Sequence, residues 1–180
     1  MSKGLMNKLF ALVLLFLPVC AFASLEVSRV QKQQDGDYTI TFCNLFKVEN
    51  IALKQNSLGS FLEMPRELGG YKNLMISSKD LDLKIKNAVI NAETVKAKNT
   101  CQKPSLKIIS ARRIKESSSV LCQLSFDDSL DLIVFASKYK KGKKDIYRVS
   151  YPQDFKFLDK KYKAQVRDFI LKNTQELLAD

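Results

Sequence analysis

Histidine and tryptophan are both absent from the 180 residues. Without histidine, Ser-His-Asp and Cys-His catalysis and histidine-bearing zinc sites are excluded. Neither GxxxxGKS/T nor GxGxxG occurs, so no phosphate-cradling loop is indicated. No catalytic constellation, metal site or cofactor is expected. Acidic residues are also scarce: 19 Asp and Glu face 30 Lys and Arg, a formal charge of +11. Long apolar runs are missing everywhere except near the start.

That one run reads as an export signal. Lys3 and Lys8 precede the uncharged stretch LFALVLLFLPV (9–19), and Ala21-Phe22-Ala23 supplies small residues for cleavage before Ser24. The run is shorter than the roughly 18–20 residues a membrane-spanning helix needs, which favours a removed signal (1–23) over an anchor. Val19 and Pro18 before Cys20 disfavour a lipoprotein site. The expected product is exported, periplasmic or extracellular, with no stable membrane span. Removing Lys3 and Lys8 lowers the charge from +11 to +9. Such an excess attracts polyanions, whether nucleic acid, acidic lipid head groups or cell-wall polymers.

The remaining chain divides near NTCQKPSLK (99–107). Each half opens on a patterned strand, LEVSRV (25–30) and LKIISARRI (106–114), and closes on a long amphipathic helix. SLGSFLEMP (57–65) aligns with SLDLIVFAS (129–137), bringing Leu58 onto Leu130, Phe61 onto Ile133, Leu62 onto Val134 and Gly70 onto Gly142. This reads as two divergent βββα units, 24–98 and 106–180, joined by a linker at 99–105. The second unit has a strand trimmed early and is extended at YPQDFKFLDK (151–160). The alternative is chance likeness between two short amphipathic domains.

Local signals support the elements. Asp35-Gly36 predicts a hairpin turn, since glycine tolerates positive φ. In YTITFCNLFKV, Ile40, Phe42, Phe46 and Val48 share one strand face, with Asn44 the exception. Ser77-Ser78-Lys79-Asp80 has the form of a capping box. Leu81, Ile85, Ala88, Val89 and Ala92 follow at helical spacing, as do Tyr162, Val166, Phe169, Ile170 and Leu177 in the last helix. Gly69-Gly70 and Asp127-Asp128-Ser129 are further turns. Adjacent carboxylates there point apart, so Asp127 and Asp128 take a turn role and not a catalytic one.

In this order, strand, hairpin, Met-Pro and capped helix resemble the SpoVG family, the stage V sporulation protein G or septation regulator proteins. The likeness covers about residues 25–92: LEVSRV, FKVENIALKQNSLGSFLEMP (46–65) and SSKDLDLKIKNAVI (77–90). Arg66, Gly70 and Lys72 stand where the family has a basic, Gly-turned segment; Ile76-Ser77 replaces its His-Pro. The second half is similar only through the first and lacks Met-Pro. The resemblance implies a small α+β domain, pairing of sheets as a dimer, DNA or RNA binding, and regulation of division and sporulation. Two units in one chain then imply an intrachain pseudo-dimer, or a homodimer between chains. A unit of about 70 residues buries little core and leaves sheet edges open, so pairing adds burial.

The candidate binding site is KYKKGKKDIYR (138–148). Lys138, Lys140, Lys141, Lys143, Lys144 and Arg148 are opposed only by Asp145, with Tyr139 and Tyr147 interleaved. Ammonium groups around a Gly142 turn can release counterions from a polyanion, and the tyrosines can stack on bases. The plainer reading is a hairpin whose lysines blunt a sheet edge. Arg66 and Lys72 form a thinner second patch. Arg112-Arg113 is a third candidate, or an exposed strand end. Three cysteines follow the signal: Cys43, Cys101 and Cys122. Export permits a disulfide, for which Cys101–Cys122 is favoured, leaving Cys43 as a small core residue. A different function class is also compatible with these features: an envelope structural protein that pairs with another protein through its sheet edges.

Overall fold

The computed structural model describes residues 25–67, 70, 72–91, 101–115 and 117–179. The expected signal (1–23), Tyr71, Gly69, Ala92 and the first residues of the linker lie outside the described residues. Among the described residues the fold is mixed α+β, with antiparallel strands and two helices. In chain order the elements are β1 (Val27–Lys32), β2 (Tyr38–Phe42), β3 (Phe46–Asn56), β4 (Gly59–Glu63), β5 (Leu74–Ile76) and α1 (Lys79–Ile90). They continue as β6 (Leu106–Arg113), β7 (Ser119–Phe126), β8 (Leu130–Lys141), β9 (Lys144–Ser150), β10 (Phe155–Phe157) and α2 (Lys160–Ala179). No described helix is long and apolar enough to cross a membrane.

Turn chemistry sets the strand breaks. Gly36, at φ +95°, joins β1 to β2, as the Asp-Gly pair predicts. The stretch YTITFCNLFKV is not one strand. Cys43 and Asn44 both take positive φ (49° and 54°), and the chain folds back from β2 into β3. Asp127 and Asp128 do the same between β7 and β8, at 51° and 48°. Asp127 Oδ1 accepts from the Ser105 backbone N–H and hydroxyl, and Asp128 pairs with Lys107, so both carboxylates are occupied in the turn.

Each long strand has a shared edge. β3 pairs with β2 on one side; on the other, its first residues pair with β10 and its later ones with β4. β8 pairs with β7 on one side and, on the other, first with β5 and then with β9. The short strands therefore cross over: β5, from the first half of the chain, lies in the second sheet, and β10 lies in the first. The chain after each short strand is held alike. Ser77 and Ser78 donate to Ser129 O; Leu158 and Asp159 donate to Leu45 O. By sheet position, Phe42–Phe46 corresponds to Phe126–Leu130, which differs from the alignment of Ser57 with Ser129. Ser57 opens the β3–β4 turn, whereas Ser129 closes the β7–β8 turn. Among the described residues the second half has five strands, β6–β10, as the first has β1–β5, so the expected trimming of a strand is not seen there.

The helices obey their sequence signals with small shifts. Ser78, one residue later than the first serine of the box, caps α1 by accepting from Leu81 N at 3.4 Å, and Asp80 and Asp82 meet the positive end of the helix dipole. Asp159 caps α2, accepting from Tyr162 N at 2.8 Å. Leu81, Ile85, Ala88 and Val89 are buried on α1. On α2 the buried stripe is Tyr162, Val166, Ile170, Thr174 and Leu178, with Phe169 and Leu177 half-buried beside it. Thr174 fits this stripe because its hydroxyl donates to Ile170 O.

A single apolar cluster joins both sheets and both helices. At its centre the Phe46 ring lies 4.8 Å from Phe126 of the other sheet, 5.0 Å from Phe155 and 6.4 Å from Tyr162. Polar contacts pin β10 onto β3 at the surface. Glu49 takes ion pairs from Lys156 and, at 2.6 Å, from Lys47, while Asn50 donates to Asp154 at 2.6 Å. Burial pushes the Glu49 carboxyl up, but the two lysine hydrogen bonds outweigh it and hold it below its ordinary value.

The disulfide is Cys43–Cys101, with Cα atoms 5.4 Å apart, and not Cys101–Cys122. Cys122 lies on the core face of β7 opposite Val134 and is fully buried as a free thiol. Cys43 is buried, as expected, but in the β2–β3 turn, where the chain leading into β6 passes. The bridge ties that approach to the first sheet, and burial pushes the Cys122 thiol up to about 11.

Candidate functional site, a basic two-stranded ribbon

The segment 138–148 folds as the β8–β9 hairpin with a two-residue loop, Gly142-Lys143, in which Gly142 takes φ +65°. Such loops need a residue that tolerates positive φ first in the turn, and glycine does so without steric cost. The register is Lys141 opposite Lys144, Lys140 opposite Asp145, Tyr139 opposite Ile146, Lys138 opposite Tyr147 and Ser137 opposite Arg148. Opposite residues share a face, and faces alternate along each strand. Tyr139, Lys141, Lys144, Ile146 and Arg148 therefore lie on one face. Lys138, Lys140, Asp145 and Tyr147 lie on the other, which continues into the core face through Ala136 and Val134.

The tip of this hairpin stands beyond the sheet. β7 pairs with β8 only as far as Ser119 opposite Ser137, and the Lys138 amide still donates to Ser118 O. From Tyr139 onward β8 has β9 as its only paired strand among the described residues. Lys140, Lys141, Lys143, Lys144 and Arg148 are exposed and form no ion pair among the described residues. Lys138 differs: it is half-buried and pairs with Asp145 at 3.3 Å. An ion pair this exposed contributes about 0–1 kcal/mol, so its main effect is to neutralise one cation of the patch. Tyr139 and Tyr147 are both exposed, but on opposite faces, so they do not make one stacking surface.

The third candidate pair divides between the same two faces. Arg112 is opposite Leu121, itself opposite Phe135, which puts it on the Tyr139 face. Arg113 lines a cavity of about 360 Å³ with Lys138, Lys140 and, from the end of α2, Leu177 and Leu178. Both arginines thus extend the ribbon at its base. The signal that links them is the strand pairing of β6 to β7, which composition does not carry.

Arg66 and Lys72 are elsewhere. Arg66 pairs with Glu63 at 3.1 Å, and both cations line a cavity of about 390 Å³ with Asp82 and apolar residues of β4 and β5. β5 pairs with the start of β8, at Leu130–Leu132. At about 3.3 Å per residue, Leu132 is on the order of 30 Å along the strand from Lys141 at the tip. The two patches are separate, and the nearby carboxylates of Glu63 and Asp82 leave the Arg66–Lys72 cavity without an excess of positive charge.

Chemically, the ribbon offers exposed ammonium and guanidinium groups with two tyrosine rings among them. It can bind anions multivalently. Comparison with protein-family models, with curated proteins and with solved structures finds no match to this chain.

Proposed function

We propose that the chain is an exported, non-catalytic binding protein made of two SpoVG-like units, 24–98 and 106–180, paired as an intrachain pseudo-dimer. Its β8–β9 ribbon engages a polyanion, nucleic acid by family resemblance, in a role akin to regulation of septation or sporulation. Pairing of the units is supported by the crossed short strands, β5 on β8 and β10 on β3, and by the matching backbone bonds to Ser129 O and Leu45 O. The observation that carries the binding reading is the ribbon itself: Lys140, Lys141, Lys143 and Lys144 on a tip that leaves the sheet and Arg148 at its base, all exposed and without an ion pair among the described residues.

The test is binding of heparin and of nucleic acid by the wild-type chain and by K140Q/K141Q/K143Q/K144Q across a salt series. Wild-type affinity should fall steeply with salt, and the variant should bind weakly with a flatter slope. Undiminished binding by the variant would remove the ribbon from the account.

A second reading is an envelope protein that pairs through a sheet edge. It is favoured by β4, an edge strand without lysine next to Leu58 (95 % exposed) and bearing Phe61 (39 % exposed), a combination edge strands ordinarily avoid. It requires salt-tolerant cross-linking from Ser60→Cys to an envelope protein, abolished by Leu58→Asp with Phe61→Asp.

A further inference from the structure

We propose that the polyanion is duplex DNA in its B form and that the β8–β9 ribbon enters the major groove. This rests on the polyanion reading above and narrows it. The ribbon has the dimensions for the task. Beyond Lys138 the pairs Tyr139–Ile146, Lys140–Asp145 and Lys141–Lys144, closed by Gly142-Lys143, carry no third strand among the described residues. At about 3.3 Å per residue the free part is about 10 Å long, against a major groove about 8.5 Å deep. Two strands about 4.8 Å apart fit a groove about 12 Å wide, which admits a two-stranded ribbon.

The distribution of charge decides between ligands. Lys141, Lys144 and Arg148 project from one face and Lys140 from the other, where Lys138 is paired with Asp145, with Lys143 in the loop. At the base Arg112 joins the first set and Arg113 the second. A flat anionic surface such as a bilayer meets one face and leaves the other in water. A groove has a phosphate wall on each side, so both sets find a partner. A single strand is bound by aromatic rings that present a common platform, whereas Tyr139 and Tyr147 face opposite ways. Duplex RNA has a major groove too narrow for side chains to read.

The experiment is fluorescence anisotropy with one sequence offered as duplex DNA, single-stranded DNA and duplex RNA, with heparin as a general polyanion and anionic vesicles as a flat surface. The proteins are wild type, K141Q/K144Q from one face and K140Q/R113Q from the other, each checked by its thermal melt. Duplex DNA should bind at least tenfold more tightly than the single strand or RNA. With about six phosphate contacts, the slope of log affinity against log salt should be about −5, and each double variant should flatten it by about 2. Equal or tighter binding of the single strand, RNA or vesicles overturns the inference, as does sensitivity to one face alone. Heparin binding without preference for duplex DNA removes this inference and leaves the polyanion reading standing. Failure to bind any of the polyanions removes both.

Discussion

Phe155 is the residue whose truncation tests the shared core most severely. It belongs to β10, pairs with Val48 of β3, and is 4 % exposed. Its ring centroid lies 5.0 Å from Phe46 in the first sheet and 5.9 Å from Phe126 in the second. Phe155→Ala deletes a ring that both sheets pack against, and a buried Phe→Ala change costs about 3–5 kcal/mol. At about 2–4 °C per kcal/mol for a chain of this size, the melting temperature should drop by about 10 °C. Because tryptophan is absent, Phe61→Trp on β4 and Tyr147→Trp on β9 each place a lone reporter at an exposed site in one sheet. Urea unfolding followed by each reporter and by far-UV circular dichroism should give coincident midpoints, displaced together by Phe155→Ala with the same m-value. If the β4 reporter shifts and the β9 reporter does not, the sheets have separate cores and the reasoning fails. A loss under about 1 kcal/mol would refute it equally, since a ring so enclosed cannot be removed at the cost of a surface substitution.

The Cys43–Cys101 bridge spans 58 residues of sequence, and loop closure of that length stabilises by about 4 kcal/mol; the paired serine variant should lose that amount. Peptide mapping without reductant should recover this bridge, while the buried Cys122 thiol should resist maleimide until the protein unfolds. Glu49 has a folded pKa below its ordinary value of 4.5, so its contribution is present above the unfolded value and is lost as pH falls through the folded one. Urea midpoints measured from about pH 6 downward should therefore drop less steeply in Glu49→Gln than in wild type. Removing the helix caps by Ser78→Ala or Asp159→Ala should each cost about 1 kcal/mol. The Asp159 loss should be the larger, because its bond is shorter and its carboxylate also meets the helix dipole.

Much of this arrangement is legible in the residues alone. Alternation identified Ile40, Phe42, Phe46 and Val48 as core, and all four are fully buried. It missed the turn at Cys43-Asn44, because neither residue is glycine and the apolar alternation resumes in phase after the single exception at Asn44. The short strands β5 and β10 have three residues each, too few to show a period. Their crossing between sheets is a long-range choice made by Phe46, Phe126 and Phe155, on which local pattern is silent. The cysteine pairing failed for the same reason: Cys122 alternates onto the core face only once the register of β7 on β8 is known. For the ribbon, the run of lysines was plain. Its division into faces follows from one further fact, the two-residue loop at Gly142-Lys143, which makes Tyr139 the partner of Ile146 and sends Tyr147 to the other side. Arg113 joins the site only through β6, and Arg66 and Lys72 leave it because β5 attaches at the far end of β8.

The most direct measurement is a backbone amide titration of the isotope-labelled protein with a short heparin fragment, read residue by residue. Shifts concentrated on Lys138–Arg148, with weaker ones at Arg112 and Arg113, are the predicted result. Shifts centred on the cavity of Arg66 and Lys72 while the ribbon amides stay still, or no shifts at all, would contradict it.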